Sequence, residues 1–182
     1  GLQARVRAGD TSDVQIVMVF DDALAAATAQ LPPGALVQAR SGRRVQVSLP
    51  ADLLPALSDQ PHLQLIRRPH RAALKSTADV GNVVTEGAED IFQTDDWHAA
   101  GGLGRGVDVV VLDVGFEGLS ELRGTELPRK VSSTTDPEVN TEHGAAVAEI
   151  VHDIAPGARM HVRVFNTGVE LLQMIDELRI SD

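Results

Sequence analysis

Residues 107–115 read VDVVVLDVG, and this short stretch sets the expected fold of the second half of the chain. The near-continuous apolar run over residues 107–112 predicts a strand buried on both faces of a parallel sheet. Asp113 follows directly, and binding sites in open α/β sheets lie at the carboxyl ends of such strands. Taken alone, Asp113 is a candidate site residue or a simple cap of the next loop.

The sequence on either side of this strand predicts further strand–helix units. A short helix over residues 95–100 and the glycine-rich run 101–106 precede it, and the loop-rich stretch 115–140 follows it. A helix over residues 145–153, a strand over 158–165 and a helix over 169–180 complete the pattern. The last helix has an apolar face formed by Leu171, Leu172, Ile175 and Leu178. We therefore expect an α/β unit.

His143 is the second candidate, in the sequence Thr-Glu-His-Gly immediately before a predicted helix of small residues. An imidazole at this point suits a general base, and Gly144 allows close approach of another backbone. Taken alone, His143 could equally be an exposed residue of an ordinary helix start.

The first half predicts a different arrangement. The β-branched run 14–20 indicates a buried strand, and Asp21 and Asp22 offer N-caps for a helix over residues 23–30. Strands over 35–40 and 43–49 flank Ser41-Gly42 as a hairpin turn, a helix covers 50–58 and a strand covers 62–67. The order β-α-β-β-α-β is the ferredoxin-like pattern. No clear period follows up to about residue 85, which predicts a linker that includes Lys75, Ser76 and Thr77.

Charge separates the two halves. The chain has 16 Lys and Arg against 26 Asp and Glu, so its net charge is −10. Nine basic and six acidic residues give +3 over residues 1–75, and seven basic and twenty acidic residues give −13 over residues 76–182. The acidic half argues against nucleic-acid binding. The absence of Cys excludes disulfides and thiolate metal sites, and neither a membrane span nor a signal peptide is expected from the sequence.

Four segments together resemble subtilisin-like serine proteases. Leu-Asp-Val-Gly at 112–115 is similar to the aspartate segment of that family, preceded as there by Trp97 and a glycine-rich run. His-Gly-Ala-Ala-Val-Ala at 143–148 resembles the histidine segment, and Ala-Pro-Gly-Ala at 155–158 resembles the turn that follows it. Aspartate before histidine is also the subtilisin chain order.

The resemblance implies a division of the chain and a function. Residues 1–70 would be a ferredoxin-like prodomain that packs on and inhibits the catalytic domain, residues 71–90 a linker with the processing site, and residues 91–182 the N-terminal part of a subtilisin-like parallel-sheet domain. It implies a serine endopeptidase that acts on peptides or proteins, secreted or in the cell envelope. Asp113 and His143 would be catalytic. Calcium often stabilises the family, and carboxylates are offered by Asp79, Asp95, Asp96 and Asp136, but their spacing identifies no ligand set.

The sequence also departs from the family. Ala145 replaces the usual Thr, Glu149 stands where many relatives have Gly, and Phe116-Glu117-Gly118 replaces a common His-Pro. No Gly-Thr-Ser-x-Ala segment is present, and Asn140 and Asn166 are wrongly placed for an oxyanion role. We therefore expect a fragment of a longer protease that is inert by itself.

Other functions remain open at this stage. The alternatives are a non-catalytic pseudoprotease or binding module and a receiver-type phospho-aspartate domain, although Asp22 and Asp113 are too far apart for the latter. A phosphatase with an aspartate nucleophile would need a second Asp where Gly115 stands. A metal site from His143, His152 and His161 is disfavoured by their spacing of nine, so we expect His152 and His161 to be structural or solvent-facing.

Overall fold

The computed structural model describes residues 1–72, 91–134, 136–139 and 141–180. The chain forms two compact units, one made of residues 1–72 and 166–182 and the other of residues 73–165. Most of the predicted linker, including Lys75, Ser76 and Thr77, lies outside the described residues. None of the helices in the described ranges has both the length and the apolar character that a membrane span needs.

The chain is mixed α/β. Its elements are α1 (Leu2–Arg7), β1 (Asp13–Phe20), α2 (Ala23–Thr28), β2 (Leu36–Ser41), β3 (Arg44–Pro50), a 3-10 turn (Ala51–Leu53), α3 (Leu54–Leu57), β4 (Leu63–Arg67), α4 (Thr94–Ala99), β5 (Asp108–Asp113), α5 (Leu119–Leu122), β6 (Val131–Ser133), α6 (His143–Ile154), β7 (Arg159–Val164) and α7 (Gly168–Ile180).

The first unit is built on an antiparallel sheet with the strand order β2-β3-β1-β4. Strand β1 is central and covered on both faces, which explains its nearly unbroken apolar run. Ile16, Met18 and Phe20 are fully buried in the main core on one face, and Val17 packs with Val169 of α7 on the other. The four predicted strands are present, although the hairpin turn falls one residue later than expected because β2 continues to Ser41.

Polar contacts join α7 to the face of this sheet. Gln46 of β3 is fully buried. Its side-chain oxygen accepts a hydrogen bond from Thr167 Oγ1 at 2.7 Å, and its amide nitrogen donates to Glu170 Oε1 at 2.9 Å. One and two turns further along α7, Gln173 accepts from the Arg40 amide and Asp176 accepts from Ser41 Oγ, both at 2.7 Å. The helix therefore meets the sheet through paired polar groups, not through apolar contact alone.

The placement of α7 was not evident from its sequence. The helical period correctly predicts the element, but the side that meets the sheet of the first unit carries Val169, Gln173 and Asp176. The residues of the expected apolar face are only partly buried or exposed: Leu171, Leu172, Ile175 and Leu178. The assignment of residues 91–182 to one catalytic domain stays a prediction, since contacts alone do not define a functional domain.

The second unit holds a parallel sheet with the order β5-β7-β6. Helix α6 covers one face, where Ala145 and Ala148 join Val111, Met160 and Val162 in one buried cluster. The expectation that β5 is buried on both faces is wrong for the described residues, because only Val111 of this strand is buried. The stretch 115–140 also contains α5 and the short strand β6, which the sequence did not predict.

We expect Thr167→Val to destabilise the first unit, because it removes the hydroxyl that bonds the buried Gln46 and leaves that amide oxygen unpaired. The loss in unfolding free energy should be about 1–3 kcal/mol, measured by urea denaturation. Thr28→Val on the exposed helix α2 is the matched control and should change it by less than about 0.5 kcal/mol. Equal stability of the two variants would show that the buried contact contributes little.

Candidate active site

Asp113 is the last residue of β5 and points into the site from the carboxyl end of the parallel sheet. One carboxylate oxygen, Oδ1, accepts a hydrogen bond from the Val114 amide at 2.7 Å. The side chain is only 12% exposed. Asp113 is thus fixed by the backbone that follows it, and its second oxygen remains available to a partner.

That partner is His143, the first residue of α6. Its Nδ1 lies 2.8 Å from Asp113 Oδ2, and the imidazole is 40% exposed. The backbone amide of His143 donates to Thr141 Oγ1 at 3.2 Å, which fixes the start of the helix. A carboxylate at Nδ1 selects the tautomer that carries its proton there, so Nε2 becomes the basic nitrogen.

Two glycines explain how the loop after β5 comes so close to α6. The Gly144 amide donates to the Gly115 carbonyl at 3.1 Å. A Cβ on Gly144 would lie 2.4 Å from that carbonyl oxygen and 2.7 Å from the Phe116 ring. A Cβ on Gly115 would lie 1.8 Å from the Val139 carbonyl oxygen. Any larger residue at Gly115 or Gly144 would therefore clash with its neighbours.

The loop after Asp113 is further held by the segment that precedes α6. The Phe116 amide donates to the Pro137 carbonyl at 2.9 Å, and the Glu117 amide donates to the Thr141 carbonyl at 2.8 Å. The Phe116 ring is fully buried. These hydrogen bonds join the backbone that follows Asp113 to the backbone that precedes His143, and so fix the spacing of the two residues.

The glycine-rich run and the turn after α6 also contact each other. The Gly157 amide donates to the Leu103 carbonyl at 2.7 Å, and a Cβ on Gly157 would lie 2.7 Å from that oxygen. Gly104 has a φ of +73° and lies against the Ala155 side chain. Two of the sequence segments singled out above thus pack together at the start of β5 and β7.

Glu149 is a second titratable group on the helix that carries His143. Its side chain is 3% exposed, and Oε1 has no hydrogen-bond partner among the described residues. Burial, together with the negative charges of Glu126 and Asp153, raises the pKa of this carboxyl. The sequence marked Glu149 as unusual but gave no sign that it is buried.

The histidines outside the pair have separate environments. The Nδ1 atom of His152 is buried without a partner among the described residues, and burial lowers the pKa of this imidazole. His161 bonds Ser132 and Asp108, contacts that the sequence did not predict.

Within the described ranges, no group of three or more acidic or histidine side chains is placed to hold a metal ion. Asp95 and Asp96 lie in the first turn of α4, and Asp136 accepts from the Glu138 amide. Asp79 lies outside the described residues. Calcium therefore stays an expectation from the family resemblance, and no chemical step is assigned to that ion.

The pair of Asp113 and His143 can exchange a proton with a third group. The carboxylate orients the imidazole and stabilises its charged form, while Nε2 accepts or returns a proton. A nucleophile must be added before the arrangement can cleave a covalent bond.

We expect Gly144→Ala to destabilise the second unit, although glycine to alanine in a helix normally stabilises. The added Cβ would meet the Gly115 carbonyl and the Phe116 ring, so the expected cost is about 1–3 kcal/mol in thermal unfolding. Gly168→Ala at the start of α7 is the control, since nothing lies within 4 Å of its Cβ position. If Gly144→Ala were as stable as that control, the close approach would not be a constraint.

We also expect Glu149→Gln to increase stability at neutral pH. A folded-state pKa above the unfolded value means that the native state binds the proton more tightly. Stability then falls as pH rises from the unfolded pKa through the folded pKa, and the penalty persists above it. Glu149→Gln should flatten this acid-to-neutral decline in urea unfolding, whereas exposed Glu117→Gln should leave it unchanged. An unaltered pH profile in Glu149→Gln would contradict the assignment.

Comparison of the sequence with models of protein families and with curated proteins finds no match. The Asp113 carboxylate and the His143 imidazole are the groups of the second unit whose geometry bears on function.

Proposed function

We propose that this chain is the N-terminal part of a subtilisin-like serine protease, with a prodomain followed by the segments that supply the aspartate and histidine of the triad. The observation that carries the proposal is the 2.8 Å contact between Asp113 Oδ2 and His143 Nδ1. Two segments that are 30 residues apart in the sequence, each similar to a subtilisin segment, form the one contact that the triad requires of them.

The chemistry follows from that contact. A serine hydroxyl placed at His143 Nε2 would attack the carbonyl carbon of a peptide bond while the imidazole takes its proton. The imidazolium would then protonate the leaving amine, and Asp113 would stabilise the charge on the ring. The sequence has no Gly-Thr-Ser-x-Ala segment, so the nucleophile in this proposal comes from outside these 182 residues.

The sheet of the second unit supports the same proposal. Asp113 ends β5, and α6 leads from β6 into β7, the strand that pairs in parallel with β5. His143 begins that helix, so both side chains lie at the carboxyl end of the sheet. This is where open parallel sheets carry their sites.

The first unit is consistent with a prodomain. Its βαββαβ element order, with the antiparallel strand order β2-β3-β1-β4, supports a ferredoxin-like fold. Residues 70–72 run antiparallel to residues 166–168, with the Gly168 amide donating to the His70 carbonyl and the Ala72 amide donating to the Asn166 carbonyl. In the proposed zymogen, this pairing holds the end of the prodomain just before the processing linker.

The proposal also covers location and substrate class. By the same resemblance, the protein acts outside the cytoplasm, in the secreted fraction or the cell envelope, on peptides or proteins. Cleavage within residues 71–90 would separate the prodomain from the catalytic part.

The decisive experiment uses the gene product extended past Asp182. We expect a Gly-x-Ser segment downstream, labelling of that serine by a fluorophosphonate, and cleavage of a protein substrate such as casein. His143→Ala should lower kcat by about 10⁶ and Asp113→Asn by about 10⁴, since triad members act as a unit. Both variants should also lose cleavage within residues 71–90, read by intact mass.

Glu117→Gln, on the exposed loop after Asp113, is the matched control and should retain wild-type activity. An extended product without a Gly-x-Ser segment would refute the protease function and favour a non-catalytic binding role. Proteolysis that survives His143→Ala would refute the assignment of His143 to the triad.

A further inference from the structure

A second set of serine, histidine and aspartate side chains lies on the parallel sheet of the second unit, away from Asp113 and His143. Ser132 of β6 is paired directly with His161 of β7, and Asp108 of β5 is paired with Arg159 of β7. Arg159 and His161 are two residues apart, so they share one face of the sheet. Strand register therefore holds Ser132, His161 and Asp108 side by side.

Hydrogen-bond contacts connect the three side chains, with His161 in the middle. His161 Nε2 lies 2.9 Å from Asp108 Oδ1, and His161 Nδ1 lies 2.5 Å from Ser132 Oγ. With the Nε2 proton donated to the carboxylate, Nδ1 is the acceptor and the Ser132 hydroxyl donates to it. A serine is activated when its hydroxyl donates to a base and a third group orients that base. Ser132, His161 and Asp108 have this arrangement.

Arg159 completes the cluster by binding Asp108 through Nε and Nη2. Its bonds, with that of His161, hold the pKa of the Asp108 carboxyl well below its usual range. The carboxylate is therefore ionised wherever the imidazole is neutral, so it can always orient the ring. Ser132 is exposed, which leaves its oxygen open to small molecules.

We propose that Ser132 is an activated nucleophile that reacts with small acyl and phosphoryl compounds bearing good leaving groups. The Ser132 oxygen forms a bond to the acyl carbon or to phosphorus, and the bond to the phenolate or fluoride leaving group breaks. The hydroxyl proton passes to His161 Nδ1, and water later releases the acyl group. A good leaving group departs without a proton, so the three side chains suffice for this class.

This centre is separate from the proposed protease site. Asp108 begins β5 and Asp113 ends it, a separation of about 16 Å at about 3.3 Å per residue. An offset of five residues also places their side chains on opposite faces of the sheet. The reactivity of Ser132 thus neither requires nor tests the proposed protease function.

The test is to treat the chain of residues 1–182 with diisopropyl fluorophosphate and to map the modified residue by mass spectrometry. We expect one adduct, on Ser132, together with hydrolysis of p-nitrophenyl acetate. Ser132→Ala should abolish both, His161→Gln should slow labelling at least tenfold, and Ser133→Ala on the other face of β6 should have no effect. Asp108→Asn should slow labelling, because His161 loses the carboxylate that orients its ring.

An unlabelled Ser132, labelling at another serine, or a rate that His161→Gln leaves unchanged would each overturn the proposal. Circular dichroism and thermal unfolding of each variant separate loss of the nucleophile from loss of the fold. The same mapping on the gene product extended past Asp182 keeps the two proposals distinct, since a labelled serine downstream of Asp182 would report on the protease and Ser132 on this centre.

Discussion

The loop after β5 and the first turn of α6 lie in close backbone contact, and the geometry of the candidate site depends on this contact. The amide of Gly144 bonds the carbonyl of Gly115, and a side chain on either glycine would collide with backbone or with the Phe116 ring. Because proteins pack to near-crystalline density, such a contact has one workable spacing. The position of His143 relative to Asp113 is a direct consequence of that spacing.

Helix α6 carries a conflict between burial and charge. Its small residues Ala145 and Ala148 pack in the core with the sheet, and Glu149 on the same helix is also buried. An ionised carboxylate without full hydrogen bonding is costly in such surroundings, so the raised pKa favours the neutral acid. The same helix presents His143 at its exposed end, where proton exchange with solvent is possible. One helix thus carries both His143, which the site can use, and Glu149, whose burial is unfavourable for the fold.

The sequence predicted the parts of the fold that local pattern controls. The strands β1 and β5 and the helix α6 follow from apolar runs and from helical periodicity, and the glycines after Asp113 and His143 indicate close approach. The sequence did not predict β6, because a strand of three residues with a single buried side chain has no measurable period. Nor could it place α7, since an amphipathic pattern says that a face is buried but not what covers it.

Long-range polar contacts were the least predictable. Gln46 and Thr167 are 121 residues apart, and nothing in either local sequence indicates that they share a hydrogen bond. The same holds for Ser132 and His161, which parallel pairing brings together over 29 residues. Asp113 and His143 were recognisable only because both segments resemble those of one family. Neither residue alone would have predicted their contact.

Asp113 and Asp108, the two carboxylates of β5, each contact a histidine but differ in how far they are buried. Asp113 is 12% exposed and Asp108 is 46% exposed, and among the described residues Asp108 pairs with an arginine, Arg159, whereas Asp113 pairs with His143. Electrostatic interactions weaken as solvent enters and as opposite charges neutralise a group. The field that Asp113 exerts on His143 should therefore exceed that of Asp108 on His161. In the two proposals, the centre at Asp113 would cleave an amide, whereas the centre at Asp108 would react only with compounds that are already activated.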